Sequence, residues 1–312
     1  MPARHYYVVL NPRAGTALGA GVTEDKLRTR FAEAGLQATV ADGESLDARI
    51  QSAVNSDSDV IVAAGGDGTV TAVASALVGT KKILCVLPLG TVNRVARDLN
   101  IPLDLNEAFA ALAGMEPKRI DVGEVNGRFF LHMVVIGLVP GLAAGREQIR
   151  GKKGPSAMLG LFRYFFRRLK RTRRLALIVE PQSKDARVER VKAIAVANNA
   201  YDEGLGRFFS RRELDRGYLT LYLLRRSSIL DFLRLAVKMV LGRWREDAAL
   251  DIKYAKAANI RSSKAKLQVM LDGEVQSLDG TLHFRIRPRA LSVLAPVARE
   301  LSTPVYEQSL AR

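Results

Sequence analysis

The sequence predicts an α/β N-terminal domain built on a parallel sheet with flanking helices, followed by a β-rich, antiparallel, sandwich-like domain. Three observations predict it. In the first 120 residues, short apolar runs alternate with segments whose apolar residues recur every three or four positions, the pattern of a parallel α/β layer. From about Ile120 the pattern turns to runs that alternate apolar and polar residues, as antiparallel strands do. Three apolar runs of the first part end in loops of Gly, Asn and Thr, the place where open parallel sheets bind ligands.

The elements follow in order. In the first part, strands are expected near 6–10, 37–41, 59–64 and 83–87. Helices fit 23–34, 46–55, 70–78, 92–99 and 105–113, with Gly35 and Gly79 placed as C-terminal helix glycines. In the second part, strands fit 119–125, 129–136, 175–180, 192–198, 218–224, 252–260, 266–271 and 281–286. Basic helical segments interrupt them near 156–171 and 227–243. The division is 1–120 for the nucleotide-binding part and 121–290 for the substrate part.

Gly65-Gly66-Asp67-Gly68-Thr69 carries most of the chemistry. It joins a buried strand, 60–64, to the helical spacing of Val70, Val73, Ala74 and Leu77. Glycines there let the backbone approach a ligand and aim N–H groups at it, and the helix start favours an anion. Asp67 would repel a phosphate unless a Mg²⁺ ion lay between them. The first loop, Asn11 to Thr16, and the third, Pro88 to Asn93, complete a nucleotide cradle. Neither a Walker lysine loop nor a dinucleotide Gly-x-Gly-x-x-Gly fingerprint is present, which disfavours a P-loop ATPase and an ordinary dehydrogenase.

Composition narrows the classes. A chain of 312 residues can hold two modest domains. Its one cysteine, Cys85, excludes a disulfide framework and fits a reducing cytoplasm. The three histidines show no ligand spacing. The longest uncharged stretch, 129–145, is too short and too broken to span a membrane. The expectation is therefore a cytoplasmic protein, or one peripheral to the inner face of the membrane. The formal net charge is +16, and the densest basic cluster, 163–174, follows apolar residues from Met158. Region 158–174 is the expected contact with an anionic membrane surface. Solvated arginines on a packed helix explain that segment equally well. Nucleic acid is not expected as a partner, because no recognition motif accompanies the charge.

With these motifs in hand, the chain resembles the diacylglycerol kinase catalytic-domain family, which includes bacterial diacylglycerol kinases and sphingosine kinases. The matching elements are Asn11-Pro12-Arg13-Ala14-Gly15, Gly65 to Thr69, Pro88-Leu89-Gly90-Thr91-Val92-Asn93 with Ala96-Arg97-Asp98-Leu99, Ile120-Asp121-Val122-Gly123, and Leu271-Asp272-Gly273-Glu274. The resemblance implies a two-domain NAD kinase/diacylglycerol kinase-like fold with ATP and Mg²⁺ in the cleft and a lipid as substrate. It implies that Asn11, Pro12, Arg13, Ala14, Gly15, Gly65, Gly66, Asp67, Gly68, Thr69, Gly90, Thr91 and Asn93 hold ATP. Glu274 would accept the proton, with Asp272 and Asp67 beside it in the catalytic set. Asp67 and Asp121 would organise metal and water. It also implies that the tail, 291–312, packs back on the first domain, and it leaves a homodimer open.

The chain departs from the family pattern. Thr71-Ala72 stands where Asn-Glu is common, Asn93-Arg94 where Asn-Asp is, and Asp215-Arg216-Gly217 where Asp-Asp-Gly is. The last two place arginine where an acid is usual, which argues against a structural Mg²⁺ beside Gly217. By local sequence alone, Asp272-Gly273 and Asp279-Gly280 both read as hairpin turns. Two alternatives to a lipid kinase remain: an NAD kinase-like small-molecule kinase, which shares the Gly-Gly-Asp-Gly-Thr loop, and a non-catalytic nucleotide-binding protein of the membrane surface.

Overall fold

The computed structural model describes residues 4–12, 14, 21–43, 45–137, 175–181, 187–205, 209–225 and 228–297. Arg13, Gly15, the basic segment 158–174 and the end of the tail lie outside them.

The first part is a parallel layer. Strands β1 (His5–Leu10), β2 (Gln37–Val40), β3 (Val60–Gly65) and β4 (Ile83–Pro88) lie in the order β4-β3-β1-β2. Helices α1 (Glu24–Glu33) and α2 (Leu46–Asn55) start at Thr23 and Ser45, whose hydroxyls accept from Lys26 N and Ala48 N. Such caps satisfy donors that a helix start would otherwise leave open. Strand β3 is buried along its whole length, as a central parallel strand should be. Gly35 and Gly79 take positive φ of 68° and 78°, the left-handed geometry expected of glycines closing a helix.

Helix α3 (Asp67–Leu77) starts inside the glycine loop, three residues earlier than its apolar spacing suggests, with Gly66 as its N-cap. Helix α4 (Arg94–Asp98) starts two residues later than expected. The reason is Asn93, held in the left-handed region at φ 52° while its side chain accepts from Gly90 N and donates to Gly90 O. Helix α5 (Leu105–Leu112) then leads into β5 (Met115–Val125).

The second part is antiparallel. Strands β6 (Arg128–Phe130), β7 (Met133–Gly137), β8 (Leu175–Pro181), β9 (Arg187–Val191), β10 (Ala193–Asn198) and β11 (Leu219–Leu224) precede helix α6 (Ile229–Val240). Strands β12 (Leu250–Ala255), β13 (Ala257–Leu271) and β14 (Glu274–Pro296) follow. Two layers arise because β13 changes partner along its length. Its start pairs with β8 and its end with β7. Val134, Val196 and Leu221 of one layer thus pack with Leu177, Ile260 and Phe284 of the other in one buried cluster.

Strand β14 joins the two parts. Its first half pairs with β13; its last residues run parallel to β4, with Ser292 opposite Ile83 and Val293 opposite Leu84. Leu291, Val293, Leu294 and Ala295 belong to the core of the first part. Asp279-Gly280 is not a hairpin turn. Asp279 pairs with Lys266 inside β14, and Gly280 sits where a Cβ would run into the Lys264 carbonyl, opposite a bulge in β13. The glycine marks a close backbone approach, a second use of Gly within strands.

Candidate active site

Three loops converge at the carboxyl ends of β1, β3 and β4, and their own side chains fasten them together. Asn11 Nδ2 donates to Thr69 Oγ1 at 2.9 Å, tying the first loop to the second. Asp67 Oδ1 accepts from Arg94 N at 2.7 Å, tying the second to the third. Gly66 and Gly90 pack backbone to backbone: a Cβ on Gly90 would stand 2.5 Å from the Gly66 Cα. Gly65 is equally constrained, since a Cβ there would meet the buried Thr69 side chain at 2.6 Å. These glycines are therefore required by the close approach of one loop to another. Ala14 is buried and Pro12 and Thr91 are exposed.

Helix α3 begins at this junction. Its N-cap, Gly66, supplies no side-chain acceptor. The first-turn N–H groups have no partner within their own helix, an arrangement that suits an anion.

The β13–β14 hairpin meets α3 from the second part. Asp272 and Gly273 form its two-residue turn, with φ of 47° and 104° and Leu271 paired to Glu274. Asp-Gly is the dipeptide such a primed turn favours. The Asp272 carboxylate then accepts from the backbone of the chain entering β7: Leu131 N at 2.7 Å, His132 N at 2.9 Å and Met133 N at 3.0 Å. Burial pushes its carboxyl up from the ordinary range, and the three N–H donors act against that shift. Asp272 thus fixes the turn that presents Glu274. Glu274 itself is exposed, and its Oε1 lies 3.0 Å from the place a Cβ on Gly68 would take. A cavity of about 310 Å³ opens between them, lined by Gly68, Thr71, Ala72, Arg128, Asp272 and Glu274 among others.

Asp121 is elsewhere engaged. It is fully buried, with Oδ1 accepting from Arg289 N at 2.8 Å and Oδ2 from Gly217 N at 2.6 Å. A divalent ion fits less well on that carboxylate than on Asp67, whose Oδ2 carries no hydrogen bond among the described residues. Among those residues no group of three or more His, Cys, Asp or Glu could hold a metal by itself. At Asp215-Arg216-Gly217, Arg216 bonds Glu213 and the Tyr218 hydroxyl, and Arg289 lies 3.7 Å from Asp215.

A buried ion pair behind the site escaped the sequence reading. Arg211 Nη2 lies 2.6 Å from Asp98 Oδ2, and both side chains are almost fully buried. Arg211 also donates to the Leu131 and Asn198 carbonyls at 2.7 Å and lies 2.9 Å from His132 Nδ1. Asp98 ends α4, whose first N–H is held by Asp67. Leu131 donates to Asp272. The network therefore links the glycine loop to the turn that carries Glu274. Burial holds the His132 imidazole well below its usual range, and the charges of Arg211 and Arg94 add to that.

Residues 5–125 match the diacylglycerol kinase catalytic domain. The match covers the first part of the chain, and the chain is a kinase, a phosphotransferase. The chain is similar to the diacylglycerol kinase of Staphylococcus aureus (strain JH9), 27% identical over 279 residues, covering 86% of this chain and 85% of that one. Among solved structures it is similar to a diacylglycerol kinase from Bacillus anthracis str. Sterne, with a TM-score of 0.67, 18% identity and coverage of 95% and 97%. It is also similar to an NAD kinase from Archaeoglobus fulgidus in complex with ATP, with a TM-score of 0.51, 12% identity and coverage of 94% and 93%. Both likenesses describe the fold. Among the described residues no helix is long and apolar enough to cross a membrane.

Proposed function

We propose that this kinase transfers the γ-phosphoryl group of ATP to a hydroxyl of a diacylglycerol- or sphingoid-like lipid. The observation that carries the lipid reading is a second cavity, of about 160 Å³, lined by Met133, Tyr201, Tyr222, Leu235, Met239 and Trp244 among others. Its lining is apolar and aromatic, which suits an alkyl chain and offers no set of donors for a second nucleotide. Met133 connects it to the site: its side chain lines this cavity, while its backbone N–H holds Asp272.

In this reading the loops at Asn11, Gly66 and Gly90 and the start of α3 hold the ATP phosphates. Mg²⁺ on the free oxygen of Asp67 would shield phosphate charge. Glu274, presented by the Asp272 turn beside Gly68, takes the proton of the acceptor hydroxyl. Phosphoryl transfer asks the protein chiefly for such positioning and charge stabilisation.

The test is phosphate transfer from radiolabelled ATP to long- and short-chain diacylglycerols, sphingoid bases and NAD. Label should enter a lipid and not NAD. Ala195→Phe, which fills the apolar cavity, should lower turnover of the long-chain acceptor more than that of the short-chain one. Label in NAD alone would favour the NAD kinase-like alternative.

A further inference from the structure

Helix α6 is apolar on two separate sides. One side faces inward, where Leu235 and Met239 line the apolar cavity. The other carries Leu230, Leu233, Val237, Val240 and Leu241, all of them 47% to 77% exposed. At 3.6 residues per turn these five fall within an arc of about 100°, well separated from Leu235 and Met239. Between the two sides run Arg234 and Lys238, held on the buried Asp247. The helix is also firmly built: Ser228 and Asp231 form a capping box at its start. The exposed stripe is thus a rigid feature and not a frayed end.

The stripe continues past the helix. Gly242 packs against the Gly204 backbone so closely that a Cβ would overlap it. This sets Leu205, 76% exposed, near the C-terminal end of the stripe. Phe209, 49% exposed, is part of the cavity lining.

We infer that this surface seats on an anionic lipid bilayer, with the outer side of α6 in the interface. This rests on the lipid-kinase reading. An amphipathic helix lying in a headgroup layer needs such a stripe and basic surroundings. Arg243 is exposed at the helix end, and the chain as a whole carries +16. The placement also accounts for the two-sided helix. Its outer side touches the membrane while its inner side lines the cavity that receives the chain, a cavity whose lining includes the half-exposed Phe209.

The experiment is co-sedimentation of the full chain with phosphatidylglycerol–phosphatidylcholine vesicles, alongside pure phosphatidylcholine vesicles. The wild type should bind the anionic vesicles. A Leu233→Gln/Val237→Gln/Leu241→Gln variant should lose at least about tenfold in partition, with unchanged helicity and unchanged turnover of a short-chain diacylglycerol in solution. None of the three residues lines either cavity. Equal binding by the variant overturns the inference, and so does absence of wild-type binding. Loss of short-chain turnover in the variant overturns it by placing the surface in catalysis or folding. A wild-type dimer that the variant dissolves, seen by sedimentation velocity, overturns it by making the surface a contact between copies. Failure of the wild type to phosphorylate any lipid would remove the lipid-kinase reading and leave the vesicle result to judge the surface by itself.

Discussion

Gly68 and Glu274 face each other across the cleft, so closely that a Cβ on Gly68 would stand 3.0 Å from Glu274 Oε1. One belongs to the first turn of α3, the other to a hairpin about two hundred residues later. In the proposed reaction their proximity would put a carboxylate where the acceptor hydroxyl meets the transferred phosphoryl group.

Asp67→Asn should lower turnover by about 100-fold or more, the scale of one lost electrostatic stabiliser. The amide oxygen can still accept from Arg94 N, so the thermal midpoint should stay near that of the wild type. Asp67→Ala removes the acceptor as well and should cost about 1 kcal/mol of stability in addition. Turnover assays and thermal melts on both variants separate the two roles.

Arg211→Met should destabilise the fold by about 3–5 kcal/mol at neutral pH, because it leaves the Asp98 carboxylate buried without its partner. Burial already pushes the Asp98 carboxyl up against the pull of Arg211. Without Arg211 it rises further. A carboxyl raised in the folded state binds its proton more tightly there, so the variant gains stability as pH falls from 7 towards the ordinary carboxylate range. Urea midpoints across that range should show the gap to wild type narrowing as pH falls.

His132 titrates in the opposite sense. Its imidazole is held neutral by burial when folded and is free to protonate when unfolded. Its contribution is present above pH 6.5 and is lost as pH falls below that, at about 1.4 kcal/mol per unit. His132→Leu should flatten the decline in urea stability between about pH 6.5 and 5 by one proton's worth. An unchanged slope would show that His132 takes up its proton while folded.

Much of the site was legible in the sequence because each part is a short contiguous motif with a backbone requirement. The glycines of the second and third loops and the Asp-Gly turn are such motifs, and the structure brings the loops and the turn together. What was not legible depends on burial, which single residues do not announce. The histidines show no ligand spacing and nothing in the local sequence marks Arg211, yet the fold closes over His132 and Arg211 beside Asp98. Asn11, Thr69 and Asn93 read as nucleotide ligands, and the structure shows their side chains also bracing the loops. The alternation predicts a strand over 281–286; the structure extends it to Glu274–Pro296, with a register shift between Arg287 and Leu291. Asp279-Gly280 has the letters of a turn and the surroundings of a bulge.

The measurement that tests the central claim most directly is the single-turnover rate of Glu274→Gln against its ATP dissociation constant, in one preparation. Gln keeps the length and hydrogen bonding of Glu and removes its basic oxygen. The account predicts a rate lower by about 10²–10⁴-fold, the range of general-base assistance, with ATP binding little changed because the nucleotide is held by the loops of the first part. A Glu274→Gln enzyme that keeps its rate, or loses ATP binding in proportion to rate, would contradict the account and leave Asp272-Gly273-Glu274 as a hairpin turn alone.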